Sequence, residues 1–336
     1  MVVTITMTDY YRCIQRNELA AEGLSEMLLT DAKLRYLVEA ATLGSMRAAS
    51  DKLDVAVSSI SRQISQLEAD IGLPLIERGR RAIKLTEAGE LALRYYRESV
   101  AQREALESSL HALRGLRSGR VELAVGEGFV SALSTLLQTF LARHAGVELA
   151  VRMASTLEVI RQVDEDEAHI GLVFHVPPAP KINVRFSLAQ PIKLIVHPRH
   201  PLAKETSVSL RQLGAHKLCL PDPSFRIRQI IAMAEAREGV SLNSDITTNS
   251  LHLLREMVRS GNYATLMPEI GAIVELSRQQ LVSVPTTSIG LQDTSINLIS
   301  RLGRTLPTAP AAFLPMLEGG MRAWFRKGKI GPLPEE

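Results

Sequence analysis

Between residues 34 and 89 the apolar positions recur at helical spacing and are then interrupted in a way that predicts two short helices, a tight turn and a hairpin. Met46–Leu53 is an Ala-rich amphipathic stretch, Asp54 and Val55 form a turn, and Ile60, Ile64, Leu67 and Ile71 fall three or four residues apart. Such a stripe docks one face of a helix on a small core and leaves Ser58, Ser59, Ser61, Arg62 and Ser65 off it. Gly72 ends the second helix and Pro74 prevents its resumption. Leu75-Ile76, a basic run of Arg78, Gly79, Arg80, Arg81 and Lys84, and then Leu85-Thr86 read as a hairpin-like wing.

From 86 to about 116 the pattern is one long helix without proline. Leu91, Tyr95, Leu106, Leu110 and Leu113 form its apolar stripe, with Arg97, Arg103, Glu104 and Glu107 off it. Two readings stand: a partner helix covers the stripe, or the helix packs on its own domain. Gly115, Ser118 and Gly119 then break the helix, and strands alternate with helices. Strands are expected at 121–125, 147–153, 170–174, 192–197, 217–220, 245–248, 263–267, 281–284 and 295–300, with helices at about 130–143 and from Ser155-Thr156 to about Val163. The alternation predicts parallel α/β sheets. Pro177, Pro178 and Pro180, and the turn at 198–201, predict a crossover between two lobes. Residues 1–30 carry a short strand pattern at 1–6 and a weak amphipathic helix at 18–29.

Composition changes this picture little, and clustering changes it more. A chain of 336 residues has room for two or three domains, and its net charge of +3 says little about partners. Four of its cations, however, fall within the short wing beside the helix pair, where they suit a polyanion. Cys13 and Cys219 are the only cysteines, too few for a disulfide framework or a zinc spacing, which fits a reducing, cytoplasmic home. No apolar run approaches the length of a bilayer span, and the N-terminus lacks a basic-then-apolar leader pattern, so no membrane partner is expected.

The chemistry legible in these residues is recognition. Small hydroxyls and an arginine at the start of an exposed helix fit close to base edges and phosphates in a major groove. Ligands of α/β sheets bind at the carboxyl ends of strands, where helix N-termini point. That rule selects Glu127 and Gly128 after the first strand of the second domain, and Ser155 and Thr156 after its second strand. It also selects Ser224 and Phe225 after 217–220, and Asn249 as a helix cap. Each hydroxyl has the simpler alternative of capping its helix. An acid at Glu127 disfavours a small anion and favours a cationic or hydroxyl-rich ligand, or else pairs with Arg226 or Arg228. Catalysis finds no support: Gly126-Glu127-Gly128 lacks the third glycine of a phosphate-binding fingerprint, and His197 and His200 have no Cys or acid to complete a metal set. These two histidines read as turn residues, and Cys219 as an inert strand cysteine. No enzymatic activity, metal or cofactor is expected.

Taken in order, these motifs resemble the LysR-type transcriptional regulators. The resemblance rests on Leu34 and Leu37, Gly44-Ser45 followed by Ser50, Ser61-Arg62-Gln63-Ile64-Ser65-Gln66-Leu67-Glu68, Gly72-Leu73-Pro74-Leu75-Ile76-Glu77-Arg78, and Leu85-Thr86-Glu87-Ala88-Gly89. It extends with decreasing sharpness to about Phe325, through His200-Pro201-Leu202-Ala203 and Leu266-Met267-Pro268. The fold it implies is an N-terminal all-α winged helix-turn-helix plus a long linker helix. A C-terminal α/β effector domain of two Rossmann-like lobes follows, like the periplasmic solute-binding proteins. The corresponding boundaries are an extension at 1–30, the DNA-binding domain at 31–88, the linker at 89–118, the effector domain at 119–327 and a tail at 328–336. Lobe I takes 120–190 and 287–327, and lobe II takes 191–286.

The resemblance also implies a function: binding of double-stranded DNA under the control of a small-molecule effector held between the lobes. Homodimers form through the linker helix and assemble further into tetramers, with RNA polymerase as a partner. Ser58, Ser59, Ser61, Arg62 and Ser65 would enter the major groove, while Arg78, Arg80, Arg81 and Lys84 would hold the backbone or reach the minor groove. Ser155, Thr156, Ser224 and Phe225 match positions where family members touch effectors, whereas Glu127 departs from a loop that often carries a hydroxyl. The family usually opens its recognition helix with Ser-Gln-Pro, where this chain has Ala56-Val57-Ser58. Losing a capping Ser costs a helix start about 0.5–2 kcal/mol unless Asp54 or Ser58 takes over. Val57 either touches a thymine methyl or faces the core. The family's heads begin only a few residues before Leu34, so translation starts at Met27 or the extension is a peripheral arm.

Overall fold

Leu34, Leu37, Ala40, Ala49, Ile60, Ile64, Leu67 and Leu75 are buried together, and three helices exist to bury them. In this computed structural model, which describes residues 31–77, 82–113 and 118–325, the helices are α1 (Asp31–Thr42), α2 (Met46–Leu53) and α3 (Val57–Ile71). Ile60, Ile64 and Leu67 are each worth roughly 1.5–3 kcal/mol of burial, so the stripe seen in the sequence sets which face of α3 turns inward. The turn between α2 and α3 works because Asp54 takes a left-handed conformation at φ 54°. Gly72, at φ 74°, closes α3 in the same conformation, and its N–H donates to the Glu68 carbonyl.

Beyond α3 the chain turns back as a two-armed hairpin. Ile76 pairs antiparallel with Leu85, and Glu77 N donates to Lys84 O at 2.8 Å. The tip of the hairpin at 78–81 lies outside the described residues, and so do the expected roles of Arg78, Arg80 and Arg81. Residues 1–30, with Cys13 and Met27, and the tail from 326 lie outside them too. Helix α4 (Glu87–Leu113) follows, and Thr86 opens it by accepting the Gly89 N–H at its hydroxyl.

The chain divides into two compact units, 1–100 and 101–336. In the second, the strands build two α/β lobes with helices α5 (Val130–Arg143), α6 (Thr156–Asp164), α7 (Leu210–Leu213), α8 (Arg226–Glu238) and α9 (Leu251–Arg259). The first sheet has the order β2-β1-β3-β10-β4, from β1 (Gly119–Val125), β2 (Val147–Met153), β3 (Ile170–Phe174), β4 (Ile182–Ala189) and β10 (Ser295–Arg301). The second lobe holds β5 (Ile192–Val196), β6 (Cys219–Pro221), β7 (Ile246–Thr248), β8 (Thr265–Pro268) and β9 (Val282–Val284). There β8-β5-β9 form one sheet and β6-β7 another, joined by a bridge between Leu218 and Ala264. Read across that bridge, β7-β6-β8-β5-β9 repeats the order of the first lobe.

The expectation of parallel sheets is therefore corrected. The pairs β1-β2, β1-β3 and β6-β7 are parallel, but β10 runs antiparallel to β3 and β4, and β5 antiparallel to β8 and β9. The antiparallel strands are those entered by a crossing from the other lobe, so they arrive from the opposite end. Strand β4 was also not expected. Its residues Ile182 to Ala189 alternate weakly and follow a proline-rich break, and all of them are half-buried or exposed. The two crossings between lobes are tied together: Gln190 N donates to Thr294 O at 2.8 Å, and Thr294 Oγ1 donates to Gln190 O at 2.6 Å.

Candidate nucleic-acid interface and ligand cleft

Helix α3 presents one apolar face inward and Val57, Ser58, Ser59, Ser61, Arg62 and Ser65 outward, all exposed. Val57 is 42% exposed, which removes the alternative that it faces the core. No acidic residue stands in the first turn of α3, so nothing there repels phosphate. The departure at Ala56 is real: Ala56 occupies the cap position without a side-chain hydrogen bond, and neither Asp54 nor Ser58 replaces it. Lys84 is exposed at the base of the wing.

The acid at the end of α3 fixes the wing's root. Glu68 Oε1 accepts from Leu75 N at 2.7 Å and Ile76 N at 3.2 Å, clamping the strand that leads into the wing onto the recognition helix. Thr86 Oγ1 donates to Pro74 O at 2.6 Å from the returning arm. Gly89 has no room for a side chain, since a Cβ there would lie 2.2 Å from the Leu75 carbonyl oxygen. Hydroxyl face, clamp and wing root together place a helix edge free of side-chain obstruction beside a cation-bearing hairpin, the geometry of a winged helix-turn-helix.

On α4, Leu91, Tyr95, Leu106 and Leu110 are each about half exposed, and the Leu113 side chain lies outside the described residues. This disfavours the reading in which the stripe packs on its own domain. The other face of α4 is held: Arg304, only 2% exposed at its side chain, reaches Glu104 at 3.1 Å and Asp166 at 2.9 Å, and Thr308 N donates to Ser108 Oγ at 3.0 Å.

The effector domain contains a small cleft where the carboxyl ends of both lobes' strands meet. Glu127, Gly128, Ser155, Thr156 and Phe225 line it, whereas Ser224 and Asn249 do not. Ser224 is exposed and spends its hydroxyl and amide on the Asp222 carboxylate next door, an Asx-type turn. Asn249 is not the cap of the helix that follows. Ser250 caps α9 (Leu251–Arg259), accepting from Leu253 N, and Asn249 is exposed one residue too early. Ser155 caps α6 (Thr156–Asp164), accepting from Glu158 N, so its simpler role is occupied, and Thr156 is buried.

Sequence reasoning missed most of the apolar lining. Phe129, Phe174 and Phe225, three of seven phenylalanines scattered through the chain, converge on the cleft with Ile227, Leu251 and Ile270. A low aromatic content hid Phe129 and Phe174, and only the topology brings them to Phe225, which the strand ends had selected. Among the described residues Arg226 is the one cation lining the cleft, and it donates from Nε to the His175 carbonyl at 3.3 Å. His175 itself takes φ 47°, and burial, then the Arg226 charge, pushes its imidazole below the usual value. Glu127 pairs with neither arginine proposed for it: Arg228 bridges to Glu235 at 2.6 Å. Instead Glu127 Oε1 accepts from His252 N at 3.1 Å and Ser250 Oγ at 3.4 Å on the facing lobe.

The histidines and cysteine behave as turn and core residues. His197 and His200 each accept a backbone N–H two residues on, and burial pushes the Cys219 thiol up to about 12, leaving it protonated and unreactive at neutral pH. Among the described residues no cluster of His, Cys, Asp or Glu is placed to hold a metal, and no helix is long and apolar enough to cross a membrane.

A winged helix-turn-helix joined by a long helix to a two-lobed α/β domain with a cleft between the lobes is the architecture of a DNA-binding regulator that takes a ligand. Comparison with known proteins makes this specific. The bacterial regulatory helix-turn-helix model of the lysR family matches residues 32–90, and the LysR substrate binding domain model matches 114–322. The chain belongs to the LysR family of transcriptional regulators and is a DNA-binding regulator, not an enzyme. It is 25% identical over 282 residues to the RuBisCO operon transcriptional regulator of Allochromatium vinosum, covering 84% of this chain and 93% of that one. The regulator BudR of Raoultella terrigena is 31% identical over 243 residues, 70% of this chain and 83% of the relative. A full-length OxyR variant from Pseudomonas aeruginosa has the same fold, with a TM-score of 0.63 at 16% identity over 88% of this chain and 95% of that structure.

Proposed function

We propose that this regulator reads DNA with α3, Val57, Ser58, Ser59, Ser61, Arg62 and Ser65 meeting base edges and phosphates in the major groove. Lys84, Arg78, Arg80 and Arg81 contact the flanking backbone or minor groove. The observation that carries the reading is the unbroken exposed edge of α3, hydroxyl-rich with one arginine and no acid in its first turn. Two such edges are brought to successive turns of a duplex by a homodimer formed through the apolar stripe of α4, and dimers pair into tetramers. A small effector enters the cleft lined by Glu127, Gly128, Ser155, Thr156 and Phe225. Its differential affinity for two arrangements of the assembly changes how DNA is held and how RNA polymerase is met. Ser224 and Asn249 drop out of the effector set, because neither lines the cleft. A cytoplasmic location follows from the work itself, beside the genome.

The test is Arg62→Ala. Losing one base or phosphate contact of this kind costs about 1–3 kcal/mol, so affinity for a selected operator falls roughly 5- to 150-fold while the effector domain melts as before. Unchanged operator affinity would show that α3 does not face the groove in this register.

A further inference from the structure

Glu127 opens the short turn of 3-10 helix after β1 in the first lobe, yet both of its hydrogen-bond donors among the described residues belong to the second. Its Oε1 accepts the His252 N–H at 3.1 Å and the Ser250 hydroxyl at 3.4 Å, at the opening turn of α9. The neighbouring Leu253 N–H is taken by Ser250 Oγ. Two of the free amides at this helix start are thus satisfied, one of them by a carboxylate from across the cleft, where the helix dipole favours negative charge. The lobes also touch beside it: a Cβ on Gly128 would lie 3.4 Å from Leu251 Cδ1 and 3.8 Å from Gly271 Cα. The rest of the cleft is apolar, dominated by Phe129, Phe174, Phe225, Ile227 and Ile270, and its one cation, Arg226, already donates to the His175 carbonyl and to Gln229.

We propose that Glu127 is an interlobe clasp that closes the cleft in the absence of a ligand and makes it select a small, uncharged, mainly apolar molecule over an anion. The inference rests on the reading of this cleft as the effector site. An incoming carboxylate would meet a like charge and find the amide of His252 already engaged, in surroundings that screen charge poorly. A neutral ring meets no such repulsion, and Phe174, Phe225 and Ile227 offer it apolar contact.

The experiment uses the full-length chain and two probes that share a ring and differ in charge, benzamide and sodium benzoate. Their binding is measured by calorimetry to the wild type, E127Q and E127S, together with hydrogen exchange of the peptide containing His252 without any ligand. In the wild type benzamide binds at least tenfold more tightly than benzoate. E127S narrows that ratio tenfold or more and speeds exchange at the start of α9, while E127Q, which keeps an acceptor without its charge, narrows the ratio with a smaller change in exchange. Benzoate binding the wild type as tightly as benzamide overturns the proposal, and so does exchange in E127S equal to the wild type. Faster exchange in E127S with neither probe bound supports the clasp and counts instead against the cleft as the effector site.

Discussion

Replacing Gly89 by alanine sets two physical effects against each other in the DNA-binding head. Gly89 lies in the first turn of α4, and exchanging a helical glycine for alanine ordinarily stabilises by about 0.5–1 kcal/mol. Here the added Cβ would stand 2.2 Å from the Leu75 carbonyl oxygen and 3.1 Å from Leu85 Cβ. The obstacle is backbone and cannot rotate away, and Leu75 is fully buried with its carbonyl accepting the Thr86 N–H at 3.0 Å. Overpacking of this kind costs about 1–3 kcal/mol, so the clash outweighs the propensity gain and the head loses on the order of 1–2 kcal/mol. For a head of this size that corresponds to a fall in Tm of roughly 5–15 °C. Gly319→Ala supplies the control, since Gly319 is exposed in the helix Thr308–Trp324 with nothing within 4 Å of the added carbon. It should gain what Gly89→Ala forgoes. Calorimetric melting of the two variants, with operator affinity measured alongside, decides the matter. A Gly89→Ala protein that melts at or above the wild type and binds DNA equally well refutes the packing argument for the wing root.

Two further perturbations have clear signs. Replacing Leu106 and Leu110 together by glutamate leaves the exposed α4 stripe charged, and sedimentation should show dimers giving way to monomers with operator affinity reduced at least tenfold; an unchanged oligomer places the interface elsewhere. His169 is buried, and burial, then the charges of Arg304 and Arg120, lowers it from 6.5 to about 4. The unfolded chain therefore takes up this proton first, so the contribution is complete above pH 6.5 and is lost as pH falls toward 4, about 3 kcal/mol in all. His169→Gln, which can still accept the Glu122 N–H, should flatten the loss of stability measured in urea between those pH values, and an unaltered slope would locate the acid sensitivity in other groups.

How much of this was legible in the chain depends on whether the signal was local. The head was, because one turn residue, one stripe and one glycine each act within a few residues: Ile60, Ile64 and Leu67 turned inward as their spacing requires, and the serines and Arg62 were left outside. The reason for Gly89 was not, since Leu75 lies fourteen positions back and only folding brings its carbonyl to that spot. The strands of the effector domain were mostly visible as apolar runs, but their directions were not. Periodicity reports which residues face the core and says nothing of the end from which a strand enters, so the reversal of β5 and β10 at the expected crossings stayed hidden. The cleft suffered most. Strand ends selected Glu127, Gly128, Ser155, Thr156 and Phe225, which line the cleft, yet a cap misplaced by one residue brought in Asn249, and an Asx turn disguised Ser224. Glu127 was recognised as unusual, but its partners lie more than 120 positions away on α9, beyond any local reasoning.

The central claim, that the hydroxyl edge of α3 reads a duplex in pairs, is tested most directly by sequencing genomic DNA fragments retained by the purified full-length protein at moderate salt. The account predicts a few enriched sites with dyad symmetry and half-sites about one helical turn apart, bound with an affinity that falls steeply as salt rises. Retention without sequence preference, or none at all, would contradict it.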